Sequence, residues 1–190
     1  MKTLPIYHIE QIEDEIKIQY LFASIGEKTI IKAIEYSPVT TLGARTVYNL
    51  GFGDYDEANG TIIDDINSNN GDIYIVFNTV LSTVPVFFET NPDAVIIVSG
   101  SDSHEDFINN CLPDCRKKCV DKCKNYQRRI KAYRYYVDKN FDELCKEFIF
   151  LGVIKQKKTH LSNIFQTKIT MTFWFTRKNN INLCIIKHYF

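Results

Sequence analysis

Four of the six cysteines stand at a strict interval of four, as Cys111, Cys115, Cys119 and Cys123. Thiolates are ligands for Zn2+ and nucleophiles for redox chemistry, so this run is the first place to look for a reactive centre. The apolar positions continue the same rhythm: Cys115, Cys119, Cys123, Tyr126, Ile130, Tyr133 and Val137 make one face of a single helix beginning near Pro113. On such a helix each step of four turns the side chain about 40° and climbs about 6 Å. Cys111 and Cys123 would then stand about 18 Å apart along the axis, too far to share one ion at about 2.3 Å. A smaller Zn2+ site remains open, with Cys115 and Cys119 chelating, Cys111 folded back around Pro113, and His104 or Cys145 completing the set. The competing reading is a buried seam in which free thiols pack as small hydrophobes. Redox chemistry at an exposed thiol beside Lys117, Lys118 or Lys122 is the third.

The same stretch is rich in cations. Arg116, Lys117, Lys118, Lys122, Lys124, Arg128, Arg129, Lys131 and Arg134 mostly avoid the apolar stripe, and Asp121 is the one acid among them. An array of this kind, with Tyr135 and Tyr136 nearby for stacking, suits an acidic protein partner or a nucleic-acid backbone. The competing explanation is a solvated helix face. Charge is polarised along the whole chain although its net value is zero: residues 46–115 hold 12 acids and no Lys or Arg, and residues 116–190 hold 18 basic residues and five acids. That contrast can expose a basic face, or the two segments can neutralise each other inside the fold.

Asp54, Asp56, Glu57, Asp64, Asp65 and Asp72 could gather around a hard cation such as Mg2+, which beside a basic helix would suit a metal-dependent nuclease. Asp54 and Asp56, set among Gly and Asn, equally suit turns and caps. Ser101-Asp102-Ser103-His104 contains hydrolase residue types, but a triad is defined by spatial geometry and the better expectation here is a helix cap. Gly51, Gly53 and Gly71 do not make a phosphate loop, since G-x-G-x-x-G is absent; backbone conformation is the expected reason for them.

The elements that must position these groups follow from patterning. Residues 15–23 and 29–36 alternate as paired strands around a turn at Ile25 to Lys28, and Ser37 to Gly43 is assigned to a loop. Thr46 to Phe52 makes a third strand, Gly53 to Gly60 a loop, and Thr61 to Ile63 a short strand. Ser68 to Asp72 signals a helix start, and Ile73, Val76, Phe77, Val80, Leu81, Val84, Phe87 and Phe88 form its apolar stripe. Pro85 is expected to kink or shorten that helix. Ala94 to Ser99 is a buried strand, with Asp102 or Ser103 capping the next helical region. Asp138 is expected to cap a short helix carrying Phe141, Leu144 and Cys145, and Phe148 to Ile154 returns to strand. Thr167 to Thr176 and Ile181 to His188 predict a C-terminal hairpin.

At 190 residues, 45% apolar and 24% charged, the chain has the composition of an ordinary globular domain with its own core. No apolar run approaches 18 residues and no signal-peptide core is present, so the expectation is a cytoplasmic protein with reduced thiols and no membrane span.

Tyr48-Asn49-Leu50-Gly51-Phe52-Gly53-Asp54, then Asn69-Asn70-Gly71-Asp72, a helix with Thr79-Val80, Gly100-Ser101, and Arg128-Arg129-Ile130 with Tyr133 and Asn140 form a recurring pattern. In it the chain resembles a family of small bacterial proteins described as a domain of unknown function, over roughly residues 10–154. The resemblance implies a compact α+β fold and a cytoplasmic bacterial protein, and brings no established activity. The segment between Gly100-Ser101 and Arg128-Arg129 is longer here than the family pattern.

The resulting expectation is one α+β domain over residues 1–154, a largely antiparallel sheet covered by two to four helices, with 155–190 as a C-terminal extension forming a β-hairpin. The functional expectation is a cytoplasmic interaction or regulatory protein with a basic helical face. A nucleic-acid-binding protein, including a metal-dependent nuclease of toxin–antitoxin or defence type, is the alternative.

Overall fold

A computed structural model describes residues 4–13, 17–63, 70–103, 105–111, 113, 115, 117–120, 123–154 and 171–177. The class is α+β as expected, built from antiparallel strand pairs and, among the described residues, four α-helices. The chain divides into two compact units, residues 1–96 and 97–190.

In the first unit β1 (Glu10–Glu13), β2 (Ile18–Ile25), β3 (Thr29–Leu42), β4 (Arg45–Asp56) and β5 (Thr61–Ile63) pair antiparallel in chain order. Side chains alternate between sheet faces. The register therefore sets Tyr20 and Phe22 of β2, Ile34 and Tyr36 of β3, and Leu50 and Phe52 of β4 on one face. Helix α1 (Ile73–Thr90) covers it. Tyr36 stacks on Phe87 at 4.2 Å, Tyr48 meets Phe87 edge-on at 5.0 Å, and Phe52 meets Phe77 edge-on at 6.0 Å. Val76, Phe77, Val80, Val84, Phe87 and Phe88 are all buried, so most of the expected stripe is the helix's inner face.

Asn78, Thr79 and Thr83 are buried with them. The Thr83 hydroxyl donates to the Val80 carbonyl at 2.8 Å and accepts from the Tyr36 phenol at 2.8 Å, which satisfies both groups inside the core. Burial pushes the Tyr36 phenol well above its ordinary pKa. By length and composition alone α1 could cross a membrane. Its inner face is nonetheless occupied by the sheet, as in the core helix of a globular fold.

Four sequence assignments in this unit change. The Ser37 to Gly43 loop is the end of β3, whose register shifts between Pro38 and Thr40. A bulge is where a strand tolerates a residue without an N–H. β4 runs on to Asp56, so the loop begins only at Glu57. Gly53 is required by close approach and not by an unusual φ, because a Cβ there would lie 2.6 Å from Ile62 Cγ2 and 2.7 Å from the Ile63 carbonyl oxygen on β5. Pro85 does not end α1, which continues to Thr90.

The Asn70-Gly71-Asp72 segment acts as a clasp. Asp72 is the N-cap residue of α1, yet its side chain makes no capping bond. Its Oδ2 accepts instead from Ser24 Oγ at 2.6 Å and Tyr7 Oη at 2.8 Å. Asn70 Nδ2 donates to the Lys28 carbonyl at 2.9 Å and to Ser24 Oγ at 3.0 Å. The start of α1 is thereby tied to the β2–β3 turn.

β6 (Val95–Ser99) runs across the boundary into the second unit. There a 3-10 turn (Ser101–Ser103) leads to α2 (Glu105–Cys111), α3 (Arg128–Lys139) and α4 (Phe141–Glu147). β7 (Phe148–Ile154) pairs antiparallel with β8 (Met171–Arg177), from Phe148 opposite Arg177 to Ile154 opposite Met171. Of the strand expected at 167–176, the described residues 171–176 pair with β7; residues 167–170 and the expected partner, 181–188, lie outside the described residues. Asp138 lies inside α3 and pairs with Arg134 at 3.5 Å, while Asn140 is the N-cap residue of α4.

Lys32 and Asp54, directly opposite each other on the helix-covered face, form a largely buried ion pair at 2.5 Å. Removing one partner strands a charge, whereas replacing both removes the desolvation cost. Asp54→Ala should destabilise the protein by roughly 3 kcal/mol, and Lys32→Met with Asp54→Leu should recover most of that loss. Urea unfolding of the two variants beside the parent measures the difference.

Candidate functional site

Among the described residues the cysteine segment between α2 and α3 is not helical. Helix α2 stops at Cys111 and α3 starts at Arg128, and every described residue between them is in turns or irregular backbone. The expected continuous face from Cys115 to Val137 therefore survives only from Ile130 onward, where Ile130 is fully buried and Tyr133 and Val137 are half-buried. Two left-handed residues interrupt any helix here, Lys118 at φ 48° and Gln127 at φ 57°. Such backbone is costly within a helix of L-residues.

Asp102 decides where α3 begins. Its side chain is almost fully buried, and its Oδ2 accepts the Arg129 N–H at 2.8 Å while its carbonyl oxygen accepts the Gln127 N–H at 3.1 Å. The capping role expected of this residue is real, but it serves a helix 27 positions away. Arg129 Nη1 also donates to Ser101 Oγ. Gly100 allows this close docking: a Cβ there would lie 2.7 Å from Asp102 Oδ1 and 3.2 Å from the Ile130 nitrogen. The hydrolase ingredients around Ser101 are thus occupied as structural groups, and His104 lies outside the described residues.

Freed from a helix, the thiols converge. Cys111, Cys115 and Cys123 place their sulfurs within 4.8 Å of one another, and Cys111 and Cys123 Sγ are 3.3 Å apart. The axial separation expected from helical geometry is overturned, because the described residues between Cys111 and Cys123 are in turns and irregular backbone. Asn125 Nδ2 donates to Cys111 Sγ at 3.7 Å, and the Lys124 N–H donates to Cys119 Sγ at 3.3 Å. The Cys119 and Lys117 amides pull the Cys115 thiol down to about 7 by donating to its sulfur. The Cys111 thiol moves up, chiefly through its bond to Cys123. Cys145 stands outside the cluster.

Among the described cations, Lys117, Lys118, Lys124, Arg128 and Lys131 are exposed, as is Tyr135. Arg129 and Arg134 are engaged with Ser101 and Asp138, and Tyr136 is buried. Arg116 and Lys122 lie outside the described residues.

The described acids do not assemble. Asp54 is held by Lys32, Asp56 accepts from the Ala58 N–H at 3.0 Å and Asn59 Nδ2 at 2.5 Å in its own turn, and Asp72 serves the clasp. Asp64 and Asp65 lie outside the described residues. Among the described residues the thiol group is the cluster able to hold a metal ion.

Residues 3–108 match the family of unknown function DUF6934, more than half of the chain, and the chain belongs to that family. The resemblance drawn from the sequence is borne out in kind; the match begins earlier than expected and ends before Cys111. No curated protein and no solved structure matches the chain.

A depressed thiol pKa means that Cys115 is half thiolate at about pH 7 and gains reactivity as pH rises through that value. In reduced, chelator-treated protein, iodoacetamide should label Cys115 ahead of Cys111, with a half-maximal rate near pH 7 that falls away in acid. Peptide mass spectrometry across a pH series reads both rates.

Proposed function

We propose that this member of the DUF6934 family is a non-enzymatic interaction or regulatory protein of the bacterial cytoplasm, and that it contacts an acidic partner through its second unit. The observation that carries the reading is the exposure of Lys117, Lys118, Lys124, Arg128 and Lys131 along one stretch of chain. Among the described residues none of these five has an ion-pair partner, and Asp121 is the one acid in the sequence of residues 115–137. Unpaired cations of this density create a positive potential that raises encounter rates with polyanions. The reading sets the protein in a reducing compartment, which keeps its free thiols available.

A nucleic acid as the acidic partner is favoured by one further observation. Tyr135 is 59% exposed on α3, one turn beyond Lys131. An exposed aromatic beside cations offers a stacking platform for an unpaired base. Nuclease activity has weaker support, since the described acids serve other partners.

Fluorescence anisotropy with an acidic polypeptide and with a single-stranded oligonucleotide tests both readings. Either ligand should bind at low salt and release as salt rises; for the oligonucleotide each cation engaged contributes a slope of about −0.7 in log affinity against log salt. Lys117→Glu with Lys124→Glu and Lys131→Glu should abolish binding. Tyr135→Ala should weaken the oligonucleotide by ~1–3 kcal/mol and leave the polypeptide unaffected. Absence of binding to both at low salt rejects the proposal.

A further inference from the structure

The turn segment between α2 and α3 shows what its thiols are arranged for. Three sulfurs on a loop of a dozen residues lie within 4.8 Å of one another, near the ~3.8 Å edge of a tetrahedron with metal–sulfur bonds of about 2.3 Å. Cys119 lies outside this group of three, and its sulfur accepts the amide of Lys124, the residue after Cys123, at 3.3 Å. Two N–H donors are aimed at these sulfurs: the Lys124 amide serves Cys119 at 3.3 Å, and Asn125 Nδ2 serves Cys111 at 3.7 Å.

N–H groups pointed at sulfur stabilise thiolate, not thiol, and orient it as the outer shell of a metal site does. Several thiolates held together repel one another unless a cation lies between them. The exposed Lys117, Lys118 and Lys124 flank the cluster in sequence but carry strongly hydrated point charges, and among the described residues none of their ammonium groups is a hydrogen-bonding partner of the sulfurs. Three sulfurs at this spacing, with a fourth thiol next to them in the chain, make a soft-ligand set that selects Zn2+ among common divalent ions.

We propose that Cys111, Cys115, Cys119 and Cys123 bind one structural Zn2+, with Cys119 as the fourth ligand, and that this ion sets the path of the chain between α2 and α3. The site is closed, because four protein ligands leave no position for water or substrate. Binding releases the remaining thiol protons, so Zn2+ affinity falls as pH drops. The loop that the ion fixes carries Lys117, Lys118 and Lys124, yet the inference stands apart from the acidic-partner reading, since metal content and partner binding are measured separately.

The full chain, purified under reducing conditions without chelators, should contain one zinc per chain by elemental analysis. A mercurial titration should release that zinc as four thiols react. Co2+ exchanged into the wild-type protein should give the intense charge-transfer and visible bands of a tetrahedral four-thiolate site. Cys119→Ser should shift those bands to a three-thiolate pattern. Asn125→Ala should keep the four-thiolate pattern and weaken Zn2+ by ~10–100-fold, the usual effect of losing an outer-shell partner. Cys145→Ser should change nothing. Wild-type protein without zinc that also fails to give a thiolate–cobalt spectrum overturns the proposal, as does a Cys111–Cys123 disulfide persisting in reductant. A Co2+ spectrum unaltered in Cys119→Ser overturns the four-ligand assignment. The wild-type readings stand even if a cysteine variant does not fold.

Discussion

The second unit depends on one buried carboxylate. Asp102 receives a first-turn amide of α3 on its side chain and the Gln127 amide on its carbonyl oxygen, bonds that close a loop of some two dozen residues. A buried carboxylate without donors would be costly, and a helix start without an acceptor leaves amides unpaired. Each group removes the other's penalty. Once α3 is anchored at Arg128, Cys123 and Asn125 are held beside the end of α2, where Cys111 sits. The thiol cluster lies within the loop that this anchoring closes.

The first unit rests on a different kind of constraint. Its sheet exposes a row of aromatic and aliphatic side chains that would be untenable in water, and α1 brings a matching set. Tyr36, Tyr48 and Phe87 share ring contacts at stacked and edge-on geometries that add to simple burial. The polar groups caught in the interface are satisfied in pairs: Tyr36 with Thr83, and Lys32 with Asp54. Asn70 and Asp72 then fix the angle at which α1 enters, by bonding to the β2–β3 turn instead of capping their own helix. The family match falls almost wholly on this unit and ends before the cysteines. The family-wide pattern therefore explains the scaffold, while the thiols and most of the exposed cations lie beyond it.

Local periodicity made the strands, the α1 stripe and the α+β class legible, because a half-buried strand alternates and a half-buried helix repeats every 3.6 residues. Those patterns are properties of short stretches and hold in any context that offers a core. The family resemblance was legible for the same reason: its Gly-Phe-Gly-Asp and Asn-Asn-Gly-Asp segments are contiguous. Their roles were not. Gly53 answers to β5 passing close by, and Asp72 answers to Tyr7 and Ser24, none of which a local window contains.

The spacing of the cysteines illustrates the boundary most clearly. A step of four is close to one helical turn, so Cys111 to Cys123 and the apolar residues after them mimic a continuous helix face. Nothing in that spacing distinguishes a seam from a series of turns. Pro113, the low helix propensity of cysteine and asparagine, and a buried acid 27 residues upstream of Arg129 were the opposing signals, and the last acts only through space. The sequence by itself determined which residues could ligate a metal and which could meet an anion. Only the tertiary structure decided that the thiols stand together, because a hydrogen bond across 27 residues, and not the local repeat, ends the turn segment and begins α3.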